Sequence, residues 1–143
     1  MTELQEAYDF LLSPRRLADE IWRKDIRRRE LMACLLPVGI VYDRDKVQVT
    51  PDDTMADTMA EVADLDAQIK DLQRQKARQI RLISGALDRL EDSRERTILE
   101  AYYVGRKSMA EIAEYLHYSP QHAYRLKKEG VENVRRMLKA PVV

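Results

Sequence analysis

The chain is predicted to be all-α, with N-terminal helices and a long coiled-coil spacer helix leading into a C-terminal three-helix domain built on a helix-turn-helix. Three observations predict this. Only 4 Gly, 5 Pro and 1 Phe occur among 143 residues, and 35% of them are charged, which is the composition of helices. In the middle of the chain Met55, Met59, Val62, Leu65, Ile69 and Leu72 recur at steps of four and three, and Ile80, Ile83, Leu87 and Leu90 resume the seam after Lys76 and Gln79 interrupt it. That is one long helix with a stutter. Residues 108–134, SMAEIAEYLHYSPQHAYRLKKEGVENV, read as two short helices joined by a tight turn. The expected division is a helical and coiled-coil region over 1–92 and a helix-turn-helix domain over 93–140.

Taken in order, Leu4, Tyr8, Leu11 and Leu12 predict a first helix, stopped by Ser13 and Pro14. Leu17, Ile21, Ile26, Leu31 and Leu35 predict a second, which reaches about Leu36 before Pro37 and Gly39 end it. Residues 37–50 are a variable loop, in which Ile40 to Tyr42 and the run KVQVT allow either a small hairpin or an ordered loop. The spacer helix follows over about 51–91, with Asp52, Asp53 and Asp57 favourably near its N-terminus. At about 1.5 Å per residue it extends on the order of 60 Å. Such a helix cannot bury its stripe alone, so it pairs with the N-terminal helices, with a second copy, or with both. The basic run Arg23, Lys24, Arg27, Arg28 and Arg29 reads as a coiled-coil flank pairing with Asp64, Asp66 and Asp71, or with Asp19, Glu20, Asp25 and Glu30 nearby. A second nucleic-acid surface is the competing reading.

In the C-terminal domain Ile98, Leu99 and Tyr102 supply the apolar stripe of a leading helix that Gly105 can terminate. Ser108 and Glu111 form a capping box, and Met109, Ile112, Ala113 and Leu116 then fall on one buried face. Ser119 caps the next helix and Pro120 takes its first position, where a missing N–H needs no partner. Along that helix Ala123, Leu126, Gly130, Val131, Val134 and Leu138 face the core. Gln121, His122, Tyr124 and Arg125 are left outside as candidates for base contacts, and Arg106, Lys107, Ser119, Lys127 and Lys128 as candidates for phosphate contacts. From Arg94 to Lys139 there are 10 Lys or Arg against 6 Asp or Glu, in a chain whose net charge is zero. The partner implied is double-stranded DNA.

Other chemistries find little support. Cys34 is the single cysteine, so no intramolecular disulfide or cysteine-cluster zinc site can form, and a reducing cytoplasm suits it. His117 and His122 have no carboxylate or cysteine cluster beside them, so neither a metal nor another cofactor is expected. No Gly-rich phosphate loop or nucleophile elbow occurs, and an enzyme is not expected. The longest apolar runs, such as Leu35 to Val38, fall far short of the roughly 20 residues that a membrane span needs. Neither a signal peptide nor contact with a membrane is expected.

The run ERTILEAYYVGRKSMAEIAEYLHYSPQHAYRLKKEGVENV resembles the sigma-70 region 4 type of helix-turn-helix. Glu111, Ile112 and Ala113 match the EIA step of that type, and Ser119, Tyr124, Arg125 and Leu126 match its recognition helix. His117 stands where the turn usually has glycine, and Ala123 where a larger apolar residue is usual. His is among the residues enriched at positive φ, so the turn survives. More widely, residues 14–135 are similar to small phage and prophage proteins related in style to the ArpU and RinA late-transcription regulators. The resemblance implies promoter or operator binding and contact with RNA polymerase, and a homodimer through the long helix would suit a palindromic site. The expected function is thus sequence-specific transcriptional regulation. The alternatives are a small terminase-like DNA-packaging subunit, and a protein-docking module that does not touch DNA.

Overall fold

A computed structural model of the chain describes residues 2–35 and 53–139. Helix α1 spans Glu3–Leu35 and α2 Asp53–Leu87; α3, Ser93–Leu99, runs directly into a π-helical turn, Glu100–Val104; α4, Met109–Leu116, and α5, Pro120–Lys139, form the helix-turn-helix. The fold is all-α, with no strand among the described residues. The hairpin or loop expected over 37–50 lies outside them.

The two N-terminal helices expected from the sequence are one. Pro14 sits inside α1 and does not stop it. A proline there deprives the carbonyl four residues earlier, Phe10 O, of its helical donor. The Ser13 hydroxyl supplies the replacement, donating to Phe10 O at 2.8 Å. With that carbonyl satisfied and the Pro14 ring fully buried, the helix continues.

The chain divides into two compact units, one of Met1–Leu17 with Gln75–Val143 and the other of Ala18–Arg74. The boundary expected at 92/93 falls inside the first unit. The reason is its larger core, where Ala7 and Leu11 of α1 and Ile83 and Leu87 of α2 pack with Leu90, Leu99, Tyr103, Val131 and Val134. Three or four side chains from α3 and α5 would leave such a cluster half open, so α1 and α2 contribute to the C-terminal helices as part of their core. A second cluster, Ile98, Met109, Ile112, Ala113, Ala123 and Leu126, lies within the three C-terminal helices. The side-chain amide of Gln79, which interrupts the apolar seam, lies 3.2 Å from Ser13 Oγ.

The second unit is an antiparallel pair of helical segments with Ala18, Val62, Leu65 and Leu72 buried. Lys24 donates to the Gln68 side-chain amide oxygen Oε1 at 2.8 Å, and Arg28 lies 3.6 Å from Asp66. Other pairs of the basic run are local, Arg28 and Arg29 with Asp25 and Arg23 with Glu20. The run thus pairs both across to α2 and along α1. Exposed pairs of this kind contribute only about 0 to 1 kcal/mol each, so they set register more than stability.

Candidate nucleic-acid interface

Each element of the helix-turn-helix is set by local chemistry. Asp92 caps α3, its carboxylate accepting from the Arg94 and Glu95 amides. The cap and the Arg94 side chain, 2.9 Å away, hold the Asp92 pKa down at about 2. The spacing Asp92 to Glu95 is the capping-box signal that would have located this start in the sequence.

After Leu99 the helix widens into the π turn, and the Gly105 and Lys107 amides close back onto Glu100 O and Ala101 O, each at 2.9 Å. Gly105 ends the helix as expected, though without a left-handed backbone, since its φ is −76°. Glycine is needed for space: a Cβ there would sit 2.9 Å from Ala101 O. The left-handed residue is Arg106, at φ 56°. Tyr103, one residue beyond the expected Tyr102, is the fully buried ring, and burial raises the pKa of its hydroxyl.

Ser108 caps α4 by accepting from the Glu111 amide, and its hydroxyl in turn donates to the Glu111 carboxylate at 3.3 Å, so the expected pair meets through the hydroxyl. Met109, Ile112 and Ala113 are buried as expected. The turn is closed by His117 in the left-handed conformation, φ 59° and ψ 39°, with its amide returned to the Ala113 and Glu114 carbonyls. Ser119 caps α5 by accepting from the His122 amide at 3.1 Å.

Helix α5 is held along its whole length. Ala123 and Leu126 enter the smaller core, Val131 and Val134 the larger. At Gly130 the helix crosses α3 so closely that a Cβ would meet Leu99 Cδ1 at 2.9 Å. Next to this crossing the Asn133 amide donates to the buried Glu95 carboxylate at 2.6 Å. The expectation for Leu138 does not hold: it is 46% exposed, and Met137 packs on the core in its place.

The outward face is what remains. Gln121, Tyr124, Arg125 and Lys128 are exposed, and so are Arg106, Lys107 and Ser119 at the neighbouring turns. Tyr124 presents an apolar ring, 56% exposed, in the middle of this set. His122 is half-buried, stacked edge-on against Tyr118 at 4.8 Å, with its Nδ1 2.7 Å from Arg125 Nη2. This contact fixes the Arg125 guanidinium over the first turn of the helix. Beyond Lys128, Glu129 and Glu132 line the same groove as Arg125 and Arg136, so the positive stripe is confined to the first turns.

Lys127 differs from the rest. Its ammonium lies 4.5 Å from the centroid of the Tyr102 ring and 5.4 Å from that of Tyr103, while the Arg15 guanidinium covers Tyr102 at 4.6 Å. Burial, and then the Arg15 charge, lower the Lys127 pKa. Arg15 also donates to the Tyr102 carbonyl at 3.2 Å. Neither Arg15 nor this ring-and-cation stack was legible in the sequence, because the partners lie 87 residues apart.

Residues 86–136 match the family model of sigma-70, region 4. The C-terminal domain is a sigma-70 region 4-like helix-turn-helix. The region 4-like match takes in the end of α2, α3 with its π turn, α4 and most of α5, and it leaves out Ala7 and Leu11, which complete the core. Region 4 is a DNA-binding domain rather than a catalytic one, so the family likeness and the exposed basic turns of α5 point to the same chemistry. No curated protein and no solved structure matches the chain. Among the described residues no group of three or more His, Cys, Asp or Glu could hold a metal ion, and no helix is long and apolar enough to cross a membrane.

Proposed function

We propose that the protein is a sequence-specific transcriptional regulator of phage or prophage type, acting in the cytoplasm as a homodimer on double-stranded DNA. The observation that carries this reading is the first two turns of α5, which present Gln121, Tyr124 and Arg125 outward from a helix whose opposite face is locked into two cores. Rigid backing of this kind is what base-edge recognition needs, since a hydrogen bond loses most of its value within a fraction of an ångström. Arg125 suits a guanine edge, Gln121 an adenine edge and Tyr124 a thymine methyl, with His122 steering Arg125. Lys128, Arg106, Lys107 and the Ser119 cap are the phosphate contacts. Lys127 would join them only by leaving the Tyr102 ring.

Contact with RNA polymerase belongs to the same reading. An apolar hollow of about 390 Å³ lies between α3 and α4, lined by Thr97, Ala101, Ile112, Tyr115 and Leu116 with Lys107 and Glu111 at its rim. Tyr115 is 80% exposed there, one turn from Ile112 at the edge of the buried face of α4. An apolar surface of this kind suits a protein partner better than a phosphate backbone.

The test is selection and sequencing of genomic fragments retained by the purified protein at near-physiological salt, with Arg125→Ala in parallel. One recurring site near a promoter, lost in the variant, is the expected result. The absence of any enriched site would sink the regulator and leave a protein-docking module.

A further inference from the structure

We propose that the face of the Ala18–Arg74 unit bearing Trp22, Ile26 and Met59 is the interface with a second copy of this chain, packed about a two-fold axis parallel to the helices. The α1 segment of each copy then lies against the α2 segment of the other. This rests on the homodimer reading above and specifies its surface.

In this unit the inward side of α1 is centred on Ile21, Asp25 and Arg28, and that of α2 on Val62, Leu65 and Ile69, all buried or half-buried. At about 100° per residue, Trp22, Ile26, Arg29 and Ala33 follow roughly a third of a turn further round α1. Met59 and Ala63 follow by the same rotation round α2. Both helices are right-handed and they run antiparallel, so equal rotations from facing sides bring the two stripes onto one side of the pair. Trp22 is 68% exposed, Met59 58% and Ile26 44%, three of the four large apolar residues exposed among the described residues of this unit. The opposite side carries Arg27, Asp57, Glu61 and Asp64. Two helices with one apolar and one charged side are half of a four-helix bundle.

Charge selects a second copy and its orientation. Between Ile21 and Leu35 there are five basic residues and two acidic ones, and between Thr54 and Asp66 there are four acidic residues and no basic one. An axis parallel to the helices sets each basic segment against an acidic segment of the other copy. An axis across the helices would stack basic on basic and acidic on acidic, which electrostatic complementarity disfavours. The parallel axis also preserves height along the bundle. Since Lys24 is level with Gln68 and Arg28 with Asp66, Arg29 comes level with Ala63 of the second copy, Ala33 with Met59, and Trp22 with Lys70, whose ammonium suits the indole face. Arg29 and Met59 thus each meet an alanine across the interface.

The test uses the full chain with Cys34→Ser as background. Light scattering should give a dimer, and Trp22→Glu should weaken association at least roughly 30-fold, as for a central hot-spot Trp. Helical circular dichroism should stay unchanged, because Trp22 is exposed within each copy. Met59→Glu should act alike. When copies carrying Arg29→Cys under one tag and Ala63→Cys under another are mixed and mildly oxidised, the mixed disulfide should outrun either same-residue disulfide. A chain that is monomeric at micromolar concentration would overturn the homodimer and this interface together. A dimer that survives both Glu variants, or that links Arg29→Cys mainly to itself, would overturn the interface alone and leave the homodimer standing.

Discussion

Arg125 and Lys128 lie three residues apart on one exposed stretch of α5, yet their expected effects differ. Arg125→Ala should cost about 1 to 3 kcal/mol on the best site and relax discrimination at one base position, whereas Lys128→Ala should weaken all sequences alike and lower the salt slope by about one. Binding curves on a panel of single-base variants at several salt concentrations separate the two, and a uniform loss for Arg125→Ala would make it a phosphate contact. Asp92 offers a second residue-scale test. Its folded pKa of about 2 lies below the ordinary aspartate value of 3.8, so its stabilisation is fully present above the ordinary carboxylate range and is lost as pH falls from about 4 through 2. The group is mostly solvent-facing, so the effect is small. Thermal melts between pH 2 and 5 should show this loss in the natural chain and not in Asp92→Asn, which keeps a capping side chain. The residues whose partners are local were legible in the sequence: Ser108 with Glu111, Ser119 with the His122 amide, and His117 in its left-handed turn. Lys127 was not, since its apparent place on the basic face is overridden by two tyrosine rings from the preceding element.

At the scale of elements, the sequence reads well where period and caps agree and fails where a side chain substitutes for the backbone. The extents of α4 and α5 follow from their caps, and α2 from its apolar seam. Pro14 would end a helix by every backbone rule, and α1 continues because the adjacent serine supplies the missing donor. Ser13→Ala should therefore cost about 1 to 2 kcal/mol, more than a partly exposed serine in an ordinary helix, because it leaves Phe10 O without a partner. Chemical denaturation checks this, and a change within a few tenths of a kcal/mol would show that water replaces the hydroxyl. The π turn was equally illegible. It moves the buried ring to Tyr103 and gives Gly105 a steric role in place of a left-handed one.

For the molecule as a whole, the region that resembles a self-sufficient domain by sequence contains only the smaller of its two cores. A fragment of residues 93–139 would expose Leu99, Tyr103, Val131 and Val134, which α1 and α2 cover in the intact chain. That fragment should melt without a cooperative transition, while residues 1–17 joined by a short Gly/Ser linker to 75–139 should melt cooperatively. Calorimetry of the two decides, and a sharp transition in the shorter one would show that the smaller cluster around Ile112 suffices. The composite core could not be read from periodicity, because a stripe reports that a face is buried and not what buries it.

Arg135 of α5 reaches back to Glu3 at 2.8 Å, across 132 residues of chain. During synthesis the first turns of α1 therefore wait for the last helix, and the long closure must be made before the contacts that stabilise it exist. A chain cut short before α5 would leave Ala7 and Leu11 without Val131 and Val134 to pack on, so the first turns of α1 stay open to wrong partners until α5 has been made.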